Sequence, residues 1–188
     1  MSGIARAQVV VVDTSVVVTF VKAGALRAFD DYLKDKAVIT ADVFRELEDW
    51  AAKYPSLAGL LGRAPWSQPV DLSSELKQKV VDILGFVEGL GEKAALQDVG
   101  EVTCVVLAQH LRDSGQGRPV LLLDDIVHGK NLAKLRGLDV VDTPGLIVEM
   151  VAAGAIPKPL GGKVWRTAFS SRSKWAEYET RLAEADDG

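Results

Sequence analysis

The residues with the plainest chemical potential are carboxylates at four separated places in the 188-residue chain. Asp13 follows the hydrophobic run Val9–Val12 and precedes Thr14 and Ser15. Glu46 lies in a helical stretch, 41–53. Glu101 opens a helix in Asp98-Val99-Gly100-Glu101, and Asp124-Asp125 ends the run 120–123. Hard divalent cations take oxygen ligands, and Mg²⁺ keeps several waters, so a few carboxylates plus a substrate phosphate suffice to hold it. Brought to the rim of one pocket, such a set would hold Mg²⁺ or Mn²⁺ and serve phosphodiester cleavage.

Each acid also has a local use. Asp13 or Thr14 can cap the helix that follows. Val43, Leu47 and Trp50 form the apolar stripe of stretch 41–53, which puts Glu46 at the stripe's edge, where it needs a cation, donors or a route to water. Asp98 with Glu101 matches a helix capping box, and the cap role fits Asp98 best. Glu101 borders the Val102/Val105/Val106 face and is free to point into a pocket at the sheet end. Two adjacent carboxylates, Asp124 and Asp125, repel each other unless positive charge is near. One would cap the next helix and the other face the pocket, and the sequence leaves the assignment open.

These residues need a frame. The run 8–12 is continuous and β-branched, as in a strand buried on both faces of a parallel sheet. Helical periodicity follows through 25–33, then a short strand at 37–40 and the helix 41–53. Pro55, Gly59, Gly62, Pro65 and Pro69 break regular structure, so 54–70 reads as a loop or insertion. Ser73 caps a helix over 73–90. Next come a helix over 100–112, a strand over 119–123, a helix over 126–136 and a strand over 138–141. A helix opens at Thr143-Pro144 and ends near Gly154, and helical structure closes the chain around 165–185. Strands alternating with helices imply a mostly parallel sheet covered on both faces, with its ligand site outside the carboxyl ends of the strands.

Composition sets the limits. Hydrophobic residues make up 48% and charged residues 26%, ordinary for a globular chain. No apolar run approaches the ~20 residues that span a bilayer. The opening Met-Ser-Gly-Ile-Ala-Arg runs straight into a strand-like segment without signal-peptide architecture, so a cytoplasmic setting is expected. The single cysteine, Cys104, lies in Val-Thr-Cys-Val-Val and reads as core packing. His110 and His128 read as surface residues. No Gly-rich phosphate loop is present, because Gly85, Gly89 and Gly91 have the wrong spacing. The net charge of −4 excludes the overall basic signature of a strong non-specific nucleic-acid binder. From 150 to 176, however, no acid occurs, while Lys158, Lys163, Arg166, Arg172 and Lys174 interleave with Trp165, Phe169 and Trp175. That segment either packs on the domain through its aromatics, the more economical reading, or tracks phosphates and stacks on bases.

Taken in order and spacing, Val-Val-Asp13-Thr-Ser15, Val43-Phe-Arg-Glu46-Leu47, Val99-Gly-Glu101 and Leu122-Leu-Asp124-Asp125 resemble the PIN-domain nucleases, and most closely the toxin ribonucleases of type II toxin–antitoxin pairs. The run from Lys130 to Asp142-Thr-Pro-Gly-Leu resembles a subgroup of the same family. The resemblance covers roughly 8–156. It implies a three-layer α/β/α fold around a mostly parallel sheet of about four to five strands, with a nuclease domain over 1–156 and a C-terminal helical extension over 157–188. It implies a Mg²⁺- or Mn²⁺-dependent endoribonuclease, with Asp13, Glu46, Glu101, Asp124 and Asp125 as catalytic and metal-binding residues and Thr14, Ser15 and Lys130 contacting RNA. It further implies a small antitoxin as partner and a homodimer, for which apolar surface near 26–33 is the candidate face. Three other classes fit less well. An aspartyl phosphotransferase wants a second Asp where Ser15 stands, and an adhesion-type Asp-x-Ser-x-Ser metal site is broken by Val17. A PIN-like module that binds RNA or a protein without efficient cleavage matches the same residues.

Overall fold

A computed structural model describes residues 3–88, 99–124, 129–169 and 173–186; Asp98, Asp125, His128 and Arg172, and the side chains of Lys174 and Trp175, lie outside them. Four consecutive valines, whose β-branched side chains favour the pleated sheet over the helix, form the central strand β1 (Val9–Val12). It pairs in parallel with β2 (Ala37–Val38) on one side and β3 (Pro119–Leu122) on the other, and β3 pairs in parallel with β4 (Asp139–Val141). The order β2-β1-β3-β4 makes a four-stranded, all-parallel sheet. Helices cover both faces, giving the expected three-layer α/β/α arrangement. The strands are buried because both faces are covered, so β1 and β3 are apolar at every position.

The register matters for function. Val12 lies level with Leu122, and Leu122 with Val141. The backbone N–H of Asp13 still donates to Leu122 O at 3.0 Å, and that of Leu123 to Val141 O at 3.2 Å. Asp13, Asp124 and Asp142 therefore leave three adjacent strands at one end of the sheet. The chain passes from β1 to β2 on one side and later to β3 on the other, so a crevice opens between β1 and β3 where the strand order reverses.

The connecting helices follow the sequence reading closely, with four differences. Residues before β1, to which the sequence reading assigns no element, form α1 (Gly3–Arg6), a single turn whose N–H groups at Gly3 and Ile4 donate to the Glu149 carboxylate at 3.1 and 3.3 Å, with Ile4 buried beneath. Between β1 and β2 there are two helices, α2 (Thr14–Ala23) and α3 (Leu26–Leu33), separated by Gly24 at φ 72°, a left-handed cap that suits glycine. After α4 (Ala41–Ala51), the stretch 54–70 is not simply a loop, since α5 (Pro55–Leu61) occupies its first half. Pro55 stands at the first turn, where its missing N–H costs nothing. Finally, the apolar surface expected near 26–33 is smaller than the pattern suggests, since Leu26, Phe29 and Leu33 are buried in the core and only Ala28 and Tyr32 of the apolar side chains of α3 stay partly exposed.

Beyond these lie α6 (Ser74–Glu88), α7 (Val99–Asp113), α8 (Gly129–Leu135), α9 (Thr143–Ala152), α10 (Lys158–Ala168) and α11 (Ser173–Asp186). Val164, Trp165, Tyr178 and Leu182 of the last two helices belong to the same hydrophobic core as the sheet. Trp165 is 1% exposed and lies against Phe169 and Tyr178, so it packs rather than stacking on bases. No described helix is long and apolar enough to cross a membrane.

Candidate active site

The strand ends, α4 and α7 enclose a cleft of about 690 Å³. Asp13, Thr14, Ser15, Glu46, Glu101, Asp124 and Lys130 all line it. Asp125 lies outside the described residues. The sequence thus separates these side chains by more than a hundred positions, and the parallel sheet returns them to one place.

Each is held by its element. Asp13 is the N-cap of α2, and its Oδ2 accepts from the Ser15 backbone N–H at 3.0 Å and from the Ser15 hydroxyl at 2.5 Å. The Thr14 hydroxyl donates instead across to Glu46 Oε2 at 2.5 Å, fastening the α2 start to α4. Thr40, buried at the N-cap of α4, accepts from Val43 N–H and lies 3.4 Å from the buried Thr103 hydroxyl, which itself donates to Gly100 O at 2.7 Å. This hydroxyl bridge sets the first turn of α7 beside α4, and with it Glu101 beside Glu46. Two glycines leave room for the acids. A Cβ on Gly100 would meet Glu46 Oε1 at 3.0 Å, and one on Gly129 would meet Glu101 Oε2 at 3.0 Å and Leu123 Cδ2 at 2.6 Å.

At the other side of the crevice, Asp124 accepts from both the backbone N–H and the hydroxyl of Thr143, each at 2.7 Å. Asp142, the N-cap of α9, accepts from Gly145 N–H at 2.9 Å and pairs with Lys130 Nζ at 2.7 Å. Sequence reasoning gave neither Asp142 nor Thr143 a place in the site, although both lie in a run that resembles the family. Asp142 was legible by the logic applied to Asp13: it is an acid directly after a strand. The shortness of β4 and its exposed first residue obscured it.

Electrostatics show that these groups act on one another. Burial raises the Asp13 carboxyl above its ordinary range against the pull of the Ser15 donors, and the charge of Glu46 raises it further. Burial likewise raises Asp124, opposed by the Thr143 bonds and supported by the fields of Asp142 and Asp13. Burial also presses upward on Asp142, but Lys130 and the Gly145 N–H outweigh it and leave that carboxyl below its usual value. Beneath the cleft, Cys104 is fully buried, and burial together with Asp13, Glu46 and Glu101 pushes its thiol well up, which makes it an inert core residue.

Among the described residues, no three acidic, His or Cys side chains are drawn close enough to hold one ion as they stand. Asp13, Glu46, Asp124 and Asp142 are each turned to a protein donor. Adjacent strands lie roughly 4.8 Å apart, so acids on β1 and β4 root about 10 Å from each other. The donor set nonetheless fits a hard divalent cation. It is all oxygen, Asp13 is buried while Glu101, Asp124 and Asp142 are part-buried and Glu46 reaches in from the exposed side, and glycines clear space around Glu46 and Glu101.

Lys22 and Trp50 also line the cleft, as do Thr167 of α10, Phe169 just after it, and Glu177 and Arg181 of α11. The helices expected as a C-terminal addition thus wall the cleft.

No curated protein and no solved structure matches the chain. The family model DUF3368, described as a PIN domain, matches residues 9–161 and so takes in all four strands and every residue placed in the cleft from β1 to α9. Four parallel strands in this order, acids at their carboxyl ends and a match across most of the length lead to one conclusion: the chain belongs to the PIN-domain family, a nuclease-type fold.

Proposed function

We propose that this protein is a divalent-metal-dependent endoribonuclease that hydrolyses RNA phosphodiester bonds. The observation that carries the proposal is the gathering of Asp13, Asp124 and Asp142 from three adjacent strand ends, with Glu46 and Glu101 reaching the same cleft from two helices. Asp13, Glu101 and Asp124, with Glu46 nearby, would hold Mg²⁺ or Mn²⁺, which would supply Lewis acidity toward the phosphate and toward water. The protein's own groups do the positioning. Ser15 fixes Asp13, Thr14 fixes Glu46 and Thr143 fixes Asp124, so the carboxylates keep their places despite mutual repulsion. Lys130, half hidden beside Asp142, sets a positive charge where a phosphate would enter. Thr14 and Ser15 are substrate contacts only after giving up these bonds, which makes orientation their first duty.

The motif resemblance supports a biological setting as the toxin of a toxin–antitoxin pair in the cytoplasm, neutralised by a small protein. A short neighbouring reading frame whose product copurifies with this chain and suppresses its cleavage tests that setting. The catalytic proposal is tested with pure protein, a labelled RNA and Mn²⁺. Asp13→Asn, which keeps a good helix cap, is expected to lower cleavage about a hundredfold or more, equivalent to ~3 kcal/mol in the barrier, with an unchanged circular dichroism spectrum. Equal cleavage by wild type and variant would refute the assignment. Binding without cleavage by both would favour the reading as a non-cutting RNA- or protein-binding module.

A further inference from the structure

Trp50 is out of keeping with the other tryptophans described. Trp66 and Trp165 are each 1% exposed and lie deep in the core, whereas Trp50 is half-buried and forms part of the cleft wall. It stacks on Tyr54, also half-buried, with ring centres 5.9 Å apart and planes 29° from parallel. Two exposed lysines attend the pair. Lys22 Nζ lies 4.7 Å from the Trp50 ring centre, while Lys53 Nζ lies 5.8 Å from Trp50 and 5.7 Å from Tyr54. Lys22 lines the cleft as well.

We infer that Trp50 and Tyr54, with Lys22 and Lys53, form a stacking platform that receives an unpaired base of a single-stranded RNA and delivers the adjoining phosphate to the acidic cleft. The inference rests on the nuclease reading for its substrate class and adds where and in what form the strand binds. Three physical points support it. Aromatic faces beside ammonium groups match the two parts of a nucleotide, since the base takes the ring and the released ammonium meets the phosphate. Such a face accepts a splayed base and not one held inside a duplex. Trp50 follows Glu46 by four residues on α4, one turn or about 6 Å along the axis, so a base on Trp50 leaves its neighbour beside the carboxylates. The acidic floor would otherwise repel RNA, and the chain carries a net charge of −4, so a local basic and aromatic foothold answers a specific need.

Packing alone would also occupy Trp50, and the test separates the two roles. Anisotropy of fluorescein-labelled dodecaadenylate, and of a duplex of equal length, is measured in EDTA, where binding is read without cleavage. Trp50→Ala is expected to weaken single-strand binding roughly ten- to a hundredfold, and Trp50→Phe to retain most of it. Lys22→Ala with Lys53→Ala is expected to weaken binding and to flatten the logarithmic salt slope by about 1.4. Wild-type binding should favour the single strand over the duplex. The platform is overturned if wild type binds no single strand, if it binds duplex equally well, or if Trp50→Ala and the double lysine variant bind as wild type does. Should Trp50→Ala fail to fold by circular dichroism, the double lysine variant, altered only at exposed positions, decides. The two proposals fail separately: cleavage with Trp50-independent binding removes the platform alone, and Trp50-dependent binding by a protein that never cleaves removes the nuclease alone.

Discussion

Asp13 carries two burdens that pull its proton affinity in opposite directions. Ser15 favours the charged form with two donors, yet burial and Glu46 outweigh them and raise the pKa above its ordinary 3.8. The native state therefore holds a proton more readily than the unfolded chain does. The cost of the charge is absent below the ordinary value and is incurred as pH rises from it through the raised one. Asparagine removes that charge and still caps α2. In EDTA at pH 7, Asp13→Asn should melt higher by roughly 2–4 °C, the shift that ~1 kcal/mol produces in a chain of this length. The gain should vanish as pH is lowered toward 4, where the wild-type carboxyl takes up its proton. Melting curves at both pH values check this, and a variant less stable than wild type at pH 7 would show the acid to be comfortable where it is.

The segment after α4 shows how an element unforeseen as structure is fixed. Its prolines and glycines read as breaks, yet Leu57, Leu60 and Leu61 of α5 enter the core, and Trp66 inserts against Phe29 with ring centres 6.0 Å apart. Asp30 on α3 clamps the return by accepting from Trp66 Nε1 at 2.6 Å and pairing with Arg63 at 2.6 Å. Asp30→Ala would leave the indole N–H buried without its acceptor, at a cost of about 1–3 kcal/mol. Thermal or urea unfolding should register that loss while cleavage per folded molecule stays unchanged, since Asp30 stands away from the cleft. Unaltered stability would mean that the apolar contacts of α5 and Trp66 hold the segment unaided. The same logic explains what was legible in the sequence. Val9–Val12 and Pro119–Leu122 announce buried strands by their residue types alone, and that suffices to put Asp13 and Asp124 at strand ends. Asp142 follows a three-residue strand with an exposed start, too short for its pattern to stand out. Trp50 read as one more apolar position on α4, because periodicity reports which face a residue occupies and not how near the rim it lies. The single turn α1 depends on Glu149, far along the chain, and no local signal announces such a cap.

For the molecule entire, a parallel sheet concentrates acids at one end, and a soluble counter-ion should be felt throughout. Titration with Mn²⁺ should raise the melting temperature of the wild type, by an amount equivalent to ~2.7 kcal/mol at a hundred times the dissociation constant, and should leave Asp13→Asn nearly unmoved. Calorimetry or a dye-based melt reads this without any RNA. No response in the wild type would argue against these acids as an ion's ligands. The sheet itself is stitched by valines and leucines that take no part in the cleft, while the reacting groups sit just past the last paired residues. Architecture and chemistry are therefore separable: the acids can be retired singly and the scaffold should persist. If the proposed ribonuclease activity is right, an inert copy made that way would grip a target transcript without destroying it, and so serve as bait for fishing that transcript out of a cell.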